Sequence, residues 1–184
     1  HYDHIGKLGR SIYHGASDNA SGVAFLLAFS RLVEEIRPCI KVFFLFTAGE
    51  ELGLLGAKSA VAGFFNFLPR KNILVINLDI VGGGDCGIVV VGANQYKKAY
   101  RHLVKTVKKY KIPLEVKARD MTANSDHYVF HRAGFPSIFI YTCGGAPCYH
   151  NPCDTPEKLS FAKTRELLKL LVSAFLIERD CVPY

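Results

Sequence analysis

Four runs of β-branched and aromatic residues without polar alternation, at 40–47, 72–81, 87–92 and 137–142, limit what this chain can fold into more than any other feature. A strand with one wet face alternates apolar and polar side chains. A strand covered on both faces reads as a continuous apolar run, which is the pattern of a sheet sandwiched between helices. Between the runs the period changes to that of a helix. Residues 19–35 place Val23, Leu26, Phe29, Leu32 and Val33 on one stripe, residues 52–62 follow the first run, and 166–177 repeat Leu168, Leu171, Val172 and Phe175. The expected fold is α/β, a three-layer α/β/α sandwich around a mixed, mostly parallel central sheet. Such sheets place ligands beyond the carboxyl ends of their strands, so function is expected in those loops.

At 184 residues and 49% hydrophobic content, one domain spanning 1–184 is expected. No run approaches the ~18 apolar residues of a membrane span. The net charge of +7 raises the question of nucleic acid, but Lys97, Lys98, Arg101, Lys105, Lys108, Lys109 and Lys111 account for it. Tyr96, Tyr100, Leu103, Val107 and Tyr110 recur at helical spacing between them, so the cations read as the solvated face of a helix and no nucleic-acid partner is expected. Of six cysteines, Cys39, Cys86 and Cys181 stand alone, whereas Cys143, Cys148 and Cys153 are close enough for one local disulfide.

Chemistry-bearing residues fall at the ends of the apolar runs. Phe43 to Gly49 leads into Glu50-Glu51, where one carboxylate suits a cation and the other a water beside it. Acids favoured by the dipole at the start of the helix 52–62 are the equal alternative. Asp79 lies within an apolar segment, where a lone carboxylate is costly unless paired, hydrogen-bonded, metal-bound or turned out at a strand end. Asp18 reads by itself as a helix N-cap. His1 and His150 add nitrogen donors. Two imidazoles and several carboxylates at the ends of consecutive elements, with no thiolate set, point to zinc, with cobalt or manganese as substitutes.

Five motifs, in order, resemble the M28 family of metallopeptidases: His1-Tyr2-Asp3, Ser17-Asp18-Asn19-Ala20-Ser21-Gly22, Gly49-Glu50-Glu51-Leu52-Gly53-Leu54-Leu55-Gly56, Asn77-Leu78-Asp79 and Tyr149-His150-Asn151-Pro152-Cys153-Asp154-Thr155. The resemblance implies a co-catalytic aminopeptidase with two Zn2+ ions. Asp18 would bridge them, His1 and Asp79 would complete one site, and Glu51 and His150 the other. It further implies Glu50 as general base, Asp3 as the group orienting His1, and Tyr149 as a hydrogen-bond donor to the developing oxyanion. Peptides with a free N-terminus are the implied substrates, and a secreted or periplasmic location is the implied setting. The family carries strands before the position of His1, so the chain is expected to be N-terminally truncated.

Asn124-Ser125-Asp126-His127 also resembles a family segment near the substrate pocket, but Ser125 or Asp126 as a helix cap explains it as well. Two rival functions share the fold. A glutaminyl cyclase uses one zinc and a tryptophan-lined pocket, and this sequence has no Trp. A non-catalytic binding domain would have lost ligands, and none is missing. Phe64, Phe65, Phe67, Phe135 and Tyr141 are expected in core packing rather than in a specificity pocket.

Overall fold

The computed structural model describes residues 1–144 and 148–177. A small hairpin, β1 (Gly6–Leu8) with β2 (Ser11–Tyr13), precedes the main body. The body then runs α1 (Ser21–Ile36), α2 (Leu55–Ala62), β3 (Val75–Leu78), β4 (Ile88–Val91), α3 (Lys97–Lys109), β5 (Val116–Arg119), α4 (His127–Arg132), β6 (Ser137–Thr142) and α5 (Ala162–Leu171).

The central sheet has the order β3-β6-β4-β5. β3 pairs parallel with β6 and β4 parallel with β5, while β4 and β6 are antiparallel, so the sheet is mixed and mostly parallel as expected. Alternate residues of one strand serve opposite layers. Ile138 and Ile140 join Phe25 and Phe29 of α1, Leu103 of α3, and Leu167 and Leu170 of α5 in the larger core. On the opposite side Ala57 of α2 and Phe130 of α4 pack with Phe65 and Phe135. Both sheet faces are therefore covered, which is why β4 and β6 carry no polar alternation. Among the described residues no helix is long and apolar enough to cross a membrane.

Three expectations need correction. Residues 41–49 belong to no strand, although 40–47 reads as one. Val42 and Phe44 pack against the larger core while Phe43, at 53% exposure, and Leu45 face outward. Apolar residue types alone do not report whether a neighbouring strand supplies ladder bonds. Secondly, neither Cys39 nor Cys86 stands alone, since both are disulfide-bonded. Cys86 has its partner among the described residues. It is bridged to Cys143 across 57 residues, because β6 runs antiparallel beside β4 and brings its end to the start of that strand. The local bridge joins Cys148 to Cys153. Cys181 lies outside the described residues. Lastly, β5 and α4 escaped the periodicity reading, being short segments of mixed polarity.

Candidate metal centre

Five chain segments converge beyond the carboxyl end of β3. Asp79 is the residue immediately after that strand. Asp18 sits in an irregular turn, Ala16–Ala20, ahead of α1. The helix is capped instead at Ala20, with no side-chain cap, so the capping role considered for Asp18 is not the one it has. Glu50 and Glu51 lie in the turn before α2, which starts at Leu55 with no acid in its first turn, so the helix-dipole explanation also fails for them. His1 opens the chain, and His150 occupies a turn closed by the Cys148–Cys153 bridge, with φ of 51°.

Asp18 divides its two oxygens. Its Oδ1 lies 3.2 Å from His1 Nε2, and its Oδ2 lies 3.2 Å from His150 Nε2. His1 Nε2 is also 3.5 Å from Asp79 Oδ1, and His150 Nε2 is 3.2 Å from Glu51 Oε2. The donors thus fall into two groups that share Asp18. Donor atoms of His1, Glu50 and Asp79 lie within 4.8 Å of one another, as do those of His4, Asp18 and Glu51.

Proximity here is not hydrogen bonding. His1 Nε2, Asp79 Oδ1, Glu51 Oε1 and His4 Nδ1 are all buried without a hydrogen-bond partner. Unpaired buried polar atoms cost about 1–3 kcal/mol each. Several facing a common space are tolerated where a cation completes them. Around a zinc ion with bonds of ~2.0–2.2 Å, tetrahedral donors sit about 3.3–3.6 Å apart, close to the separations found here. The donor set fits zinc, being imidazole and carboxylate without thiolate.

Electrostatics follow from this crowding. Burial by itself would lower the His1 pKa, but the carboxylates of Asp18 and Asp79 raise it to about 11. Burial first, then the negative Asp79, Glu51 and Asp126, lift the Glu50 carboxyl to about 8 against the opposing pull of His1. Tyr149 is pushed up to about 12 by burial and by Asp18, Glu51, Asp79 and Glu50, so its phenol stays protonated. Its ring stacks on His150 at 3.9 Å. Asp3 accepts from His1 Nδ1 through its backbone carbonyl at 3.0 Å, and its carboxylate takes the Glu50 amide at 3.5 Å.

Several positioning residues stand within the quoted motifs or the 124–127 segment without a role assigned from sequence. Asp154, almost fully buried, accepts the backbone N–H groups of Ser17 and Asp18 at 2.9–3.1 Å and so holds the Asp18 turn. Asn19 ties that turn to the next loop by donating to Leu78 O and accepting from Ile80 N–H. Gly22 must lack a side chain, since a Cβ there would lie 2.4 Å from Asn19 Oδ1. Ser125 is not a helix cap. It donates to Asp79 Oδ2 at 2.8 Å and accepts from Asn77 Nδ2, while Asp126 accepts from Thr47, three residues before Glu50. A cleft of about 610 Å³ opens from the centre, lined by Glu50, Glu51, Tyr149 and His150 at its acidic end and by Tyr128 and Arg132 further out. None of the five aromatics considered for a specificity pocket lines it; Phe65 and Phe135 are core residues, while Phe64 and Phe67 are exposed.

The model of peptidase family M28 matches residues 1–175. The chain belongs to that family. Among its M28 relatives, a probable leucine aminopeptidase of Arthroderma otae is 30% identical over 183 residues, covering 94% of this chain and 50% of that protein. The chain thus spans about half the length of that relative. The crystal structure of a zinc aminopeptidase from Bacillus subtilis superposes with a TM-score of 0.74 at 25% identity, covering 88% of this chain and 42% of that one. A Bacteroides thetaiotaomicron glutaminyl cyclase shares the fold, with a TM-score of 0.71 at 22% identity over 91% of this chain and 64% of that one.

Proposed function

We propose that this M28 chain is a single catalytic domain of a zinc aminopeptidase, removing the N-terminal residue from peptides. The observation that carries the reading is the convergence of buried, unpartnered donor atoms of His1, Asp79 and Glu51 around the divided carboxylate of Asp18. His1, Asp18 and Asp79 would hold one zinc ion, and Asp18, Glu51 and His150 a second. Zinc bound there supplies Lewis acidity toward a carbonyl and makes water deprotonatable near neutral pH.

The remaining chemistry falls to side chains. Glu50, grouped with His1 and Asp79, accepts the proton of the attacking water and returns it to the leaving amine. Tyr149, kept neutral, donates a hydrogen bond to the carbonyl oxygen as charge develops there. A substrate's free α-ammonium group is drawn to the acidic end of the cleft, which favours exopeptidase over endopeptidase action. The Cys86–Cys143 and Cys148–Cys153 bridges support an oxidising, extracytoplasmic setting.

The test is zinc content beside hydrolysis of leucine p-nitroanilide, for the wild type and Glu50→Gln. Two zinc ions with turnover are expected for the wild type. The variant should keep its zinc and lose about 10²–10⁴-fold in rate. Wild-type turnover in the variant would remove Glu50 from the mechanism, and conversion of glutaminyl peptides in place of hydrolysis would favour a cyclase.

A further inference from the structure

His4 is the one imidazole of the centre to which neither the family motifs quoted above nor the proposed ligand set gives a role. The geometry points to His4 as a direct ligand of the second metal position, through Nδ1, beside Glu51, His150 and Asp18. This assignment rests on the two-metal reading above and adds a third nitrogen donor to it.

Its Nδ1 lies 2.9 Å from Glu51 Oε1 and 3.9 Å from Asp18 Oδ2, and the side chain is 6% exposed. At 2.9 Å a hydrogen bond to Glu51 is the obvious alternative. Yet both Nδ1 and Glu51 Oε1 remain without a hydrogen-bond partner, because the atoms are near but not aligned. Two donor atoms that approach closely while aiming past each other are directed at a third point. His1 Nε2 shows the same pattern with Asp18 at the first position. His4 Nε2 is also buried and unpartnered, so no hydrogen bond among the described residues explains why this ring is taken out of water.

The backbone is shaped around the ring. Gly15 has φ of 66°, and a Cβ there would lie 2.5 Å from His4 Cγ and 2.5 Å from Asp18 O. Only glycine lets the Asp18 turn close against this imidazole. The His4 and His150 rings also meet edge-on at 5.8 Å between centroids, which brings both imidazoles to the same end of the centre. The second position then offers two nitrogens and two carboxylates, a donor set that suits zinc, whereas the first offers one nitrogen.

X-ray absorption at the zinc edge of the wild-type protein, with calorimetric zinc titration of wild type and His4→Asn, tests this. Asn places a donor where Nδ1 stands, so it preserves the rival role, a hydrogen bond to Glu51, but removes the ligand. Three imidazoles shared by two ions are expected. The variant should lose more than about 100-fold in affinity at one position only, beyond the about 10–100-fold of a residue acting through another ligand. Near-UV circular dichroism of the zinc-free variant reports folding, and the wild-type absorption count stands without it. Two imidazoles over two ions, or an unchanged second affinity in the variant, overturns the assignment. A wild type holding a single zinc with two imidazoles would sink the two-metal reading while keeping His4 as a ligand, and a single zinc with one imidazole overturns both. Absence of any uptake overturns both.

Discussion

At the proposed first metal position the His1 side chain is 1% exposed and its neighbour Asp79 sits at the end of a sheet strand, whereas at the proposed second His150 is 39% exposed on a short bridged turn. Sheet backbone and a buried Ser125 hydroxyl fix the first; a loop that opens on the cleft carries the second. The contrast teaches that one centre is supported by two different means. On the enclosed side the carboxylates of Asp18 and Asp79 raise the proton affinity of His1 against its burial, and burial raises that of Glu50, while the open side leaves room for substrate.

The comparison breaks first at the residue shared by both halves. Asp154→Ala leaves three hydrogen bonds from buried backbone N–H groups without their acceptor, so unfolding in denaturant should show a loss of about 2–4 kcal/mol, and zinc uptake should fall at both positions. Loss confined to one position would mean that Asp18 is held by something else. Ser125→Ala should weaken only the first position, by about 10–100-fold in calorimetric titration, because Asp79 loses the hydroxyl that orients it. A weakened second position instead would reverse the comparison.

Replacing Cys148 and Cys153 together by Ser should act on the second position alone. Opening a loop this short removes about 2 kcal/mol of chain constraint and loosens His150 and Tyr149, to be read as weaker zinc binding and a raised KM. The smallest effect concerns pH. In the metal-free protein His1, with its pKa raised to about 11, is protonated through the neutral range, so zinc must expel that proton. Affinity at the first position should therefore rise about tenfold per pH unit between pH 6 and 8, measured by titration in buffers of different ionisation enthalpy. A flat profile would contradict the crowding of His1 by Asp18 and Asp79.

The legibility of these two halves in the sequence differed by residue. Asp18, Glu50, Glu51, Asp79 and His150 stand at ends of apolar or helical segments, where α/β folds collect chemistry, and the motif spacing drew them into one set. Ser125 and Asp126 were passed over because an Asx or Ser before a helix has a cheaper local explanation; only the fold shows Asp79 and Thr47 as their partners. His4 lies outside the motifs, since nothing in sequence distance says that its ring turns toward Glu51.

What the sequence determined by itself was the layered architecture and the inventory of donors, because hydrophobic periodicity records which faces are buried and motif order records which loops meet. Tertiary structure alone decided that residues 41–49 stay outside the sheet, that Cys86 finds Cys143, and that Asp18 turns one oxygen to each imidazole group. Those outcomes depend on contacts between segments tens of residues apart, whose free energy comes from packing and pairing that no local pattern encodes.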